Sequence, residues 1–327
     1  MSAVIVVDNL QKTYQLPRPR NFDRGARGWL FPGTSTLNAV DGISLRIEAG
    51  ERVAVIGPNG AGKSTTLKML TGILEPSAGN AEIHGLQPWR QRKTLARQIG
   101  VVFGQRSQLW GELPVRASFA LLRHIYEQKN ADFTKRLDQL VERFALGPIL
   151  DQPVNRLSLG QRMRCELVAS LLHGPSTLFL DEPTIGLDIT AKATLRDLIR
   201  EQTARECQTV VLTSHDTRDI ELVCDRVIVI NRGQIIIDQS LEQLRRRFLG
   251  RKLLTLQSTQ PHLQFDADGI HVRSREPHRL ILEVDTRRVR VEEVIASALQ
   301  QGGIEDVTVE DPPMEDIIRD IYDGKTV

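Results

Sequence analysis

The apolar positions of this chain fall mostly in short runs separated by turn residues. Residues 4–7 and 42–47 read as strands of an antiparallel edge sheet with one face buried. Residues 53–56 form a compact apolar run with charge before it and glycine after it, the pattern of a parallel strand covered on both faces. Residues 178–180 and 209–213 repeat that pattern, 191–205 between them has helical periodicity, and another helix is expected to start near Gly62. Buried strands alternating with helices predict an α/β core.

After about Ser240 the pattern changes. Short strands are expected at 253–257, 271–273 and 280–284, then a helix over 291–301 with an apolar stripe of Val291, Val294, Ile295, Ala298 and Leu299. A strand at 306–309 and a second helical stretch, 314–322, complete a small α+β module. The expected organisation is a main domain over 1–240 and an accessory module over 241–327. The segment 17–36 is rich in Pro, Gly and Arg and has no period, so it reads as an inserted surface loop. Its Trp29, Leu30 and Phe31 are expected to fold back on the domain's own surface, a partner or bilayer contact being the alternative.

With 327 residues the chain exceeds what a single core usually holds, so two folding units fit its length. Lys and Arg number 43 against 41 acidic residues, which lacks the basic excess of a nucleic-acid binder. The three cysteines, Cys165, Cys207 and Cys224, make neither a CxxC pair nor an even framework, which points to reduced thiols in the cytosol. The N-terminus lacks a basic region and a cleavage site, and no run approaches the roughly 18 apolar residues of a membrane helix. Any membrane role would be served from the side.

Gly57-Pro58-Asn59-Gly60-Ala61-Gly62-Lys63-Ser64 matches GxxxxGK[ST] directly after one predicted strand and at the start of a helix. Such a loop turns backbone N–H groups toward phosphates, and the helix N-terminus adds its positive end. Lys63 then supplies a point charge to the β- and γ-phosphates, Ser64 a hydroxyl to Mg²⁺, and Thr65 an α-phosphate contact. Another strand, 177–180, runs into Asp181-Glu182. Alternation along that strand would point the two carboxylates differently. Asp181 would join the Mg²⁺ shell and Glu182 polarise the attacking water. His215, at the end of the 210–215 run, is placed to contact the γ-phosphate or orient Glu182.

Together with Leu157-Ser158-Leu159-Gly160-Gln161, shortly before the acidic strand, these motifs resemble the ATP-binding-cassette ATPases. The resemblance covers roughly 3–239 and implies a phosphate-loop NTPase with an antiparallel edge sheet and a helical subdomain over about 105–172. It implies that Ser158, Leu159, Gly160 and Gln161 complete the ATP site of a second copy in a head-to-tail dimer, with two ATP molecules enclosed. Independently, Ser158 caps a predicted helix with Met163, Leu167, Leu171 and Leu172 at helical spacing. Leu159 departs from the family pattern, which has a second glycine there. Further family positions fall on Tyr14 for adenine stacking, Gln105 for the loop that senses nucleotide and transmembrane domain and as a catalytic and Mg²⁺ position, and Asp188 in Ile185-Gly-Leu-Asp188. Gln108 offers a rival register for that glutamine, and counting back from Leu113-Pro-Val115 favours Gln105. The implied partners are integral-membrane permease subunits and a second ATPase copy, at the cytoplasmic face of the inner or plasma membrane. The 17–36 insertion, the 103–110 run and the C-terminal module resemble the bacterial exporter branch for drugs, lipids or glycans. The rivals are a cassette ATPase uncoupled from transport and a regulator that binds ATP without hydrolysing it. A single phosphate loop speaks against the first, and the presence of Glu182 and His215 against the second.

Overall fold

The computed structural model describes residues 3–17, 34–104, 107–214, 216–248, 250–259, 265 and 268–322. The chain forms two compact units, 1–239 and 240–327. The first contains β1 (Ala3–Pro17), β2 (Thr34–Glu48), β3 (Arg52–Ile56), β4 (Ala78–Ile83), β5 (Ile99–Phe103), β6 (Thr177–Asp181), β7 (Thr209–Thr213), β8 (Arg226–Asn231) and β9 (Gln234–Ser240).

Strands β2, β1 and β4 make an antiparallel sheet in that order, with Ile5 opposite both Ile47 and Ile83, and Val7 opposite Leu45 and Ala81. These residues are all buried, so the alternation of one strand sets the register of its two neighbours. Strand pairing reaches Ser35 and Thr36, which face Leu16 and Gln15. The insertion is therefore narrower than its composition suggests, and Trp29, Leu30 and Phe31 lie outside the described residues.

The other sheet has the order β5-β6-β7-β3-β8-β9, parallel from β5 through β8. A tight turn at Arg232 and Gly233, both with positive φ, leads from β8 into β9. Every residue of β6 and β7 is buried, as expected of strands covered on both faces. The Lys63–Leu70 helix contributes Leu67, Met69 and Leu70 to one core shared with Ile5 and Val7 of the first sheet and Val53, Phe179, Val211 and Ile228 of the second. Burying each such side chain contributes about 1.5–3 kcal/mol. This packing holds the helix N-terminus at the carboxyl ends of the parallel strands, where ligand crevices form in open α/β sheets.

Between β5 and β6 the chain inserts helices Val115–Ile125, Asn130–Arg143 and Leu159–Leu171, with Phe119, Phe133, Leu140, Phe144, Met163 and Leu167 buried. Helix Ile189–Glu206 connects β6 to β7.

In the second unit, β10 (Arg251–Ser258), β11 (Ile270–Glu276), β12 (Arg279–Asp285) and β13 (Ile304–Glu310) form an antiparallel sheet of order β11-β12-β10-β13. Leu254, Leu256, Leu280, Leu282 and Val284 on one face pack with Val294 and Ala298 of the Val291–Gln301 helix. Leu299, expected in that apolar stripe, is 57% exposed, because it lies past the arc of the helix that meets the sheet. Arg251 bridges Glu283 and Asp320, and Arg273 bridges Glu283 and Asp316, which ties the Met314–Tyr322 helix to β10, β11 and β12.

Candidate functional site

The phosphate loop leaves β3 at Gly57 and closes on the helix at Lys63. Ala61 N–H donates to Pro58 O at 3.1 Å, and Asn59 and Gly60 are exposed at the tip. Gly62 has φ +107°, and a Cβ there would stand 2.4 Å from Ala39 O, so only glycine fits this step into the helix. Lys63 is 7% exposed, and its ammonium donates to Gly57 O at 2.7 Å and Pro58 O at 3.2 Å. Burial pushes its pKa below the usual lysine range, and the charges of Glu182 and Asp181 pull it back up.

Ser64 and Thr65 follow in the first turn, half-buried. Ser64 Oγ donates to Asp181 Oδ1 at 3.1 Å, and the buried Thr213 hydroxyl donates to the same oxygen at 2.6 Å. Asp181 and Thr213 are register partners on β6 and β7, so parallel pairing alone sets them side by side. Glu182 follows Asp181 outside the strand. Its φ is +57°, so the two carboxylates are separated by a left-handed backbone step, not by the strand alternation expected from sequence. The Glu182 N–H donates to both Thr213 O and Thr213 Oγ1 at 3.1 Å, which holds that unusual conformation. Thr213 thus braces both acids. Its signal in the sequence was its position at the end of the strand that leads to His215.

These groups fit a nucleotide and its metal. A partly desolvated cation, glycine-lined backbone and a helix N-terminus suit phosphates. Among the described residues no cluster of three or more His, Cys, Asp or Glu could hold a metal. One carboxylate with one hydroxyl, as in Asp181 and Ser64, suits Mg²⁺, which keeps waters and takes phosphate oxygens as its other ligands.

The 158–161 segment lies at a different helix end. Ser158 Oγ accepts from Gln161 N–H at 3.3 Å and Gln161 Oε1 accepts from Ser158 N–H at 2.9 Å, a capping box that leaves the Ser158 O–H and the Gln161 amide NH₂ as donors. Leu159 lies over Gly186, where an added Cβ would meet Leu159 Cγ and Cδ2 at 2.7 Å, and a Cβ added at Gly160 would stand 2.7 Å from Gly186 O. The bulk of Leu159 is accommodated by this bare glycine. Asp188, two residues on, caps the Ile189–Glu206 helix by accepting from Ala191 N–H at 2.7 Å. Among the described residues no hydrogen bond or ion pair joins Ser158 or Gln161 to the phosphate loop.

Tyr14 stands on β1, half-buried, with the Lys12 ammonium 5.6 Å from its ring centroid. Gln105 and His215 lie outside the described residues. Gln108 donates its side-chain amide to Glu166 O at 3.1 Å, which commits it to the Leu159–Leu171 helix. Sequence reasoning passed over Glu166 itself. This 5%-exposed carboxylate accepts from the Ser107 hydroxyl on Oε1 and from Gln108 N–H on Oε2 at 3.1 Å. Burial pushes its carboxyl above the ordinary range, while hydrogen bonds from Ser107, Gln108 and Leu109 pull it down. A lone acid among Met163, Leu167 and Ser170 on an inward-facing stripe was the available signal.

The phosphate loop, the acid-tipped strand of the same parallel sheet and the helical insertion define a phosphate-loop nucleotide-binding cassette. The family model for ABC transporters matches residues 40–185. The ABC transporter ATP-binding protein NatA of Bacillus subtilis (strain 168) is 34% identical over 64% of this chain and 84% of its own length. The daunorubicin resistance ATP-binding protein DrrA3 of Streptomyces coeruleorubidus is 31% identical over 85% of this chain and 89% of its own. Among solved structures, the dimeric transporter cassette MJ0796 superposes with a TM-score of 0.61 at 25% identity, over 72% of this chain and 98% of that one. The chain belongs to the ABC transporter ATP-binding proteins, whose cassette binds ATP. No described helix is long and apolar enough to cross a membrane.

Proposed function

We propose that this chain hydrolyses ATP sandwiched between its own phosphate loop and the Ser158–Gln161 segment of a second copy, and that closure of this dimer drives export through separate permease subunits at the cytoplasmic face of a membrane. The observation that carries the reading is the convergence of Lys63, Ser64, Asp181 and Glu182 at the carboxyl ends of β3 and β6, two strands of one parallel sheet with β7 between them. Lys63 neutralises the β- and γ-phosphates, and the Thr65 hydroxyl contacts the α-phosphate. Ser64, Asp181 and Gln105 hold Mg²⁺, whose chemistry is to offset charge on the phosphoryl oxygens. Glu182, with its backbone pinned by Thr213, orients and polarises the attacking water, and His215 braces the γ-phosphate. Tyr14 stacks on the adenine.

Two features support a second copy. The donors left on Ser158 and Gln161 at an exposed helix N-terminus suit a phosphate, yet their own phosphate loop makes no hydrogen bond to them. The dimeric form of the MJ0796 cassette agrees with that arrangement. The resistance named for DrrA3 favours outward movement of cargo. The 240–327 unit acts on dimerisation or coupling and performs no chemistry. Phosphate release from the chain co-purified with its permease tests the reading. ATP turnover that disappears in Glu182→Gln while nucleotide binding persists is expected, and wild-type turnover in that variant would remove Glu182 from its role.

A further inference from the structure

Glu166 is an expensive residue for its position. It sits two turns into the Leu159–Leu171 helix on a face otherwise occupied by Met163, Leu167, Ser170 and other buried side chains. An unpaired carboxylate there would be strongly unfavourable, and a leucine would pack without that penalty. Its two oxygens accept from the Ser107 hydroxyl and from Gln108 N–H, and its own carbonyl accepts from the Gln108 side chain, a three-point clamp on one short segment. Ser107 is held beside Leu109, whose N–H donates to its oxygen at 3.1 Å, and its hydroxyl has two acceptors in reach, Leu109 O at 3.2 Å and the Glu166 carboxylate, the charged one making the stronger bond.

The segment's other end is anchored elsewhere. Gly104 N–H donates to Asp181 O at 3.0 Å, at the tip of the acidic strand. Ser107 and Gln108 thus lie only a few positions along the chain from the residue bonded to Asp181, and Glu166, which they hold, is about 12 Å of helix from Ser158. In the proposed dimer, Asp181 serves one ATP and Ser158 the other. We infer that Glu166 is a positioning residue that locks Ser107 and Gln108 to the Leu159–Leu171 helix, so that the state of a chain's own nucleotide site is passed to the site it completes in its partner. This rests on the sandwiched-dimer reading above. A helix packed by apolar contacts alone could slide against the segment, whereas a carboxylate held by two donors fixes both direction and distance.

The test uses the full chain assembled with its permease, in four forms: wild type, Glu166→Ala, Glu166→Gln and Ser107→Ala. Nucleotide affinity of the lone chain is measured beside the maximal ATPase rate and the Hill coefficient of the assembly. With the clamp lost, Glu166→Ala should bind nucleotide within about twofold of wild type, lose about tenfold in maximal rate and lose its cooperativity in ATP. Glu166→Gln can still accept from Gln108 N–H while its NH₂ donates to the Ser107 oxygen, so it should recover most of both. Ser107→Ala should fall between them. If Glu166→Ala does not fold, Ser107→Ala, Glu166→Gln and their double variant decide the matter through non-additive losses in rate. Unchanged rate and Hill coefficient in every variant, additive losses, or losses that only track melting temperature would overturn the inference. A wild-type assembly that does not hydrolyse ATP would instead overturn the function proposed above.

Discussion

Lys63 and Arg251 are both largely covered cations of their respective units, and they are answered in opposite ways. Arg251 lies between two carboxylates, Glu283 at 3.2 Å and Asp320 at 2.8 Å, within a chain of pairs that continues through Arg273 to Asp316. Lys63 donates instead to two backbone carbonyls, and the nearby carboxylate Asp181 is hydrogen-bonded to two hydroxyls. In the C-terminal unit, charge cancels charge and holds a helix on a sheet. In the cassette, the cation is held by neutral carbonyls and Asp181 by neutral hydroxyls, so their charges are not cancelled by these hydrogen bonds. That difference separates a structural network from a site that binds a polyanion with its metal.

Substituting the two cations should sharpen the contrast. Lys63→Ala is expected to weaken ATP binding about a hundredfold or more by equilibrium titration, with the melting temperature little changed, because the residue's own partners are carbonyls at the loop surface. Glu182→Gln, which removes the acid proposed to orient the attacking water, should lower turnover by about two orders of magnitude or more while binding persists. Thr213→Val keeps the strand's shape but removes the hydroxyl that braces both Asp181 Oδ1 and the Glu182 N–H. It should cost about tenfold in maximal rate and about 1–2 kcal/mol in stability, read from steady-state kinetics and thermal unfolding. Arg251→Ala should show the opposite profile, with ATP affinity unchanged and about 1–3 kcal/mol lost from unfolding of the C-terminal unit, since half-buried Asp320 would lose its Arg251 partner and Glu283 would keep only Arg273. A large loss of ATP affinity in Arg251→Ala would end the distinction.

The two units were also unequally legible from sequence. The β7 bounds and the 291–301 helix agree with the pattern to the residue, because each has clear edges and a consistent period. Strand β4 was missed: Ala78-Gly-Asn-Ala-Glu-Ile83 carries Gly79 and Asn80, poor strand formers, and owes its conformation to pairing with β1. Strand β8 escaped for another reason, since a four-residue apolar run such as 227–230 has no period to distinguish strand from buried helix. At the site, the fixed spacing of the phosphate loop and the acid-tipped strand made Lys63, Ser64, Asp181 and Glu182 readable. The left-handed Glu182, the bracing by Thr213 and the clamp at Glu166 depend on neighbours 31 to 59 positions away along the chain. No local pattern encodes contacts of that span.

The central claim is that each nucleotide is held by the phosphate loop of one chain and the Ser158 segment of another. Sedimentation of Glu182→Gln tests it most directly, because a variant that binds ATP without hydrolysing it should accumulate the closed dimer. Dimers are expected with ATP and Mg²⁺, and monomers with ADP or when Lys63→Ala or Ser158→Arg is added. Glu182→Gln remaining monomeric with saturating ATP and Mg²⁺, both alone and on its permease, would contradict the account.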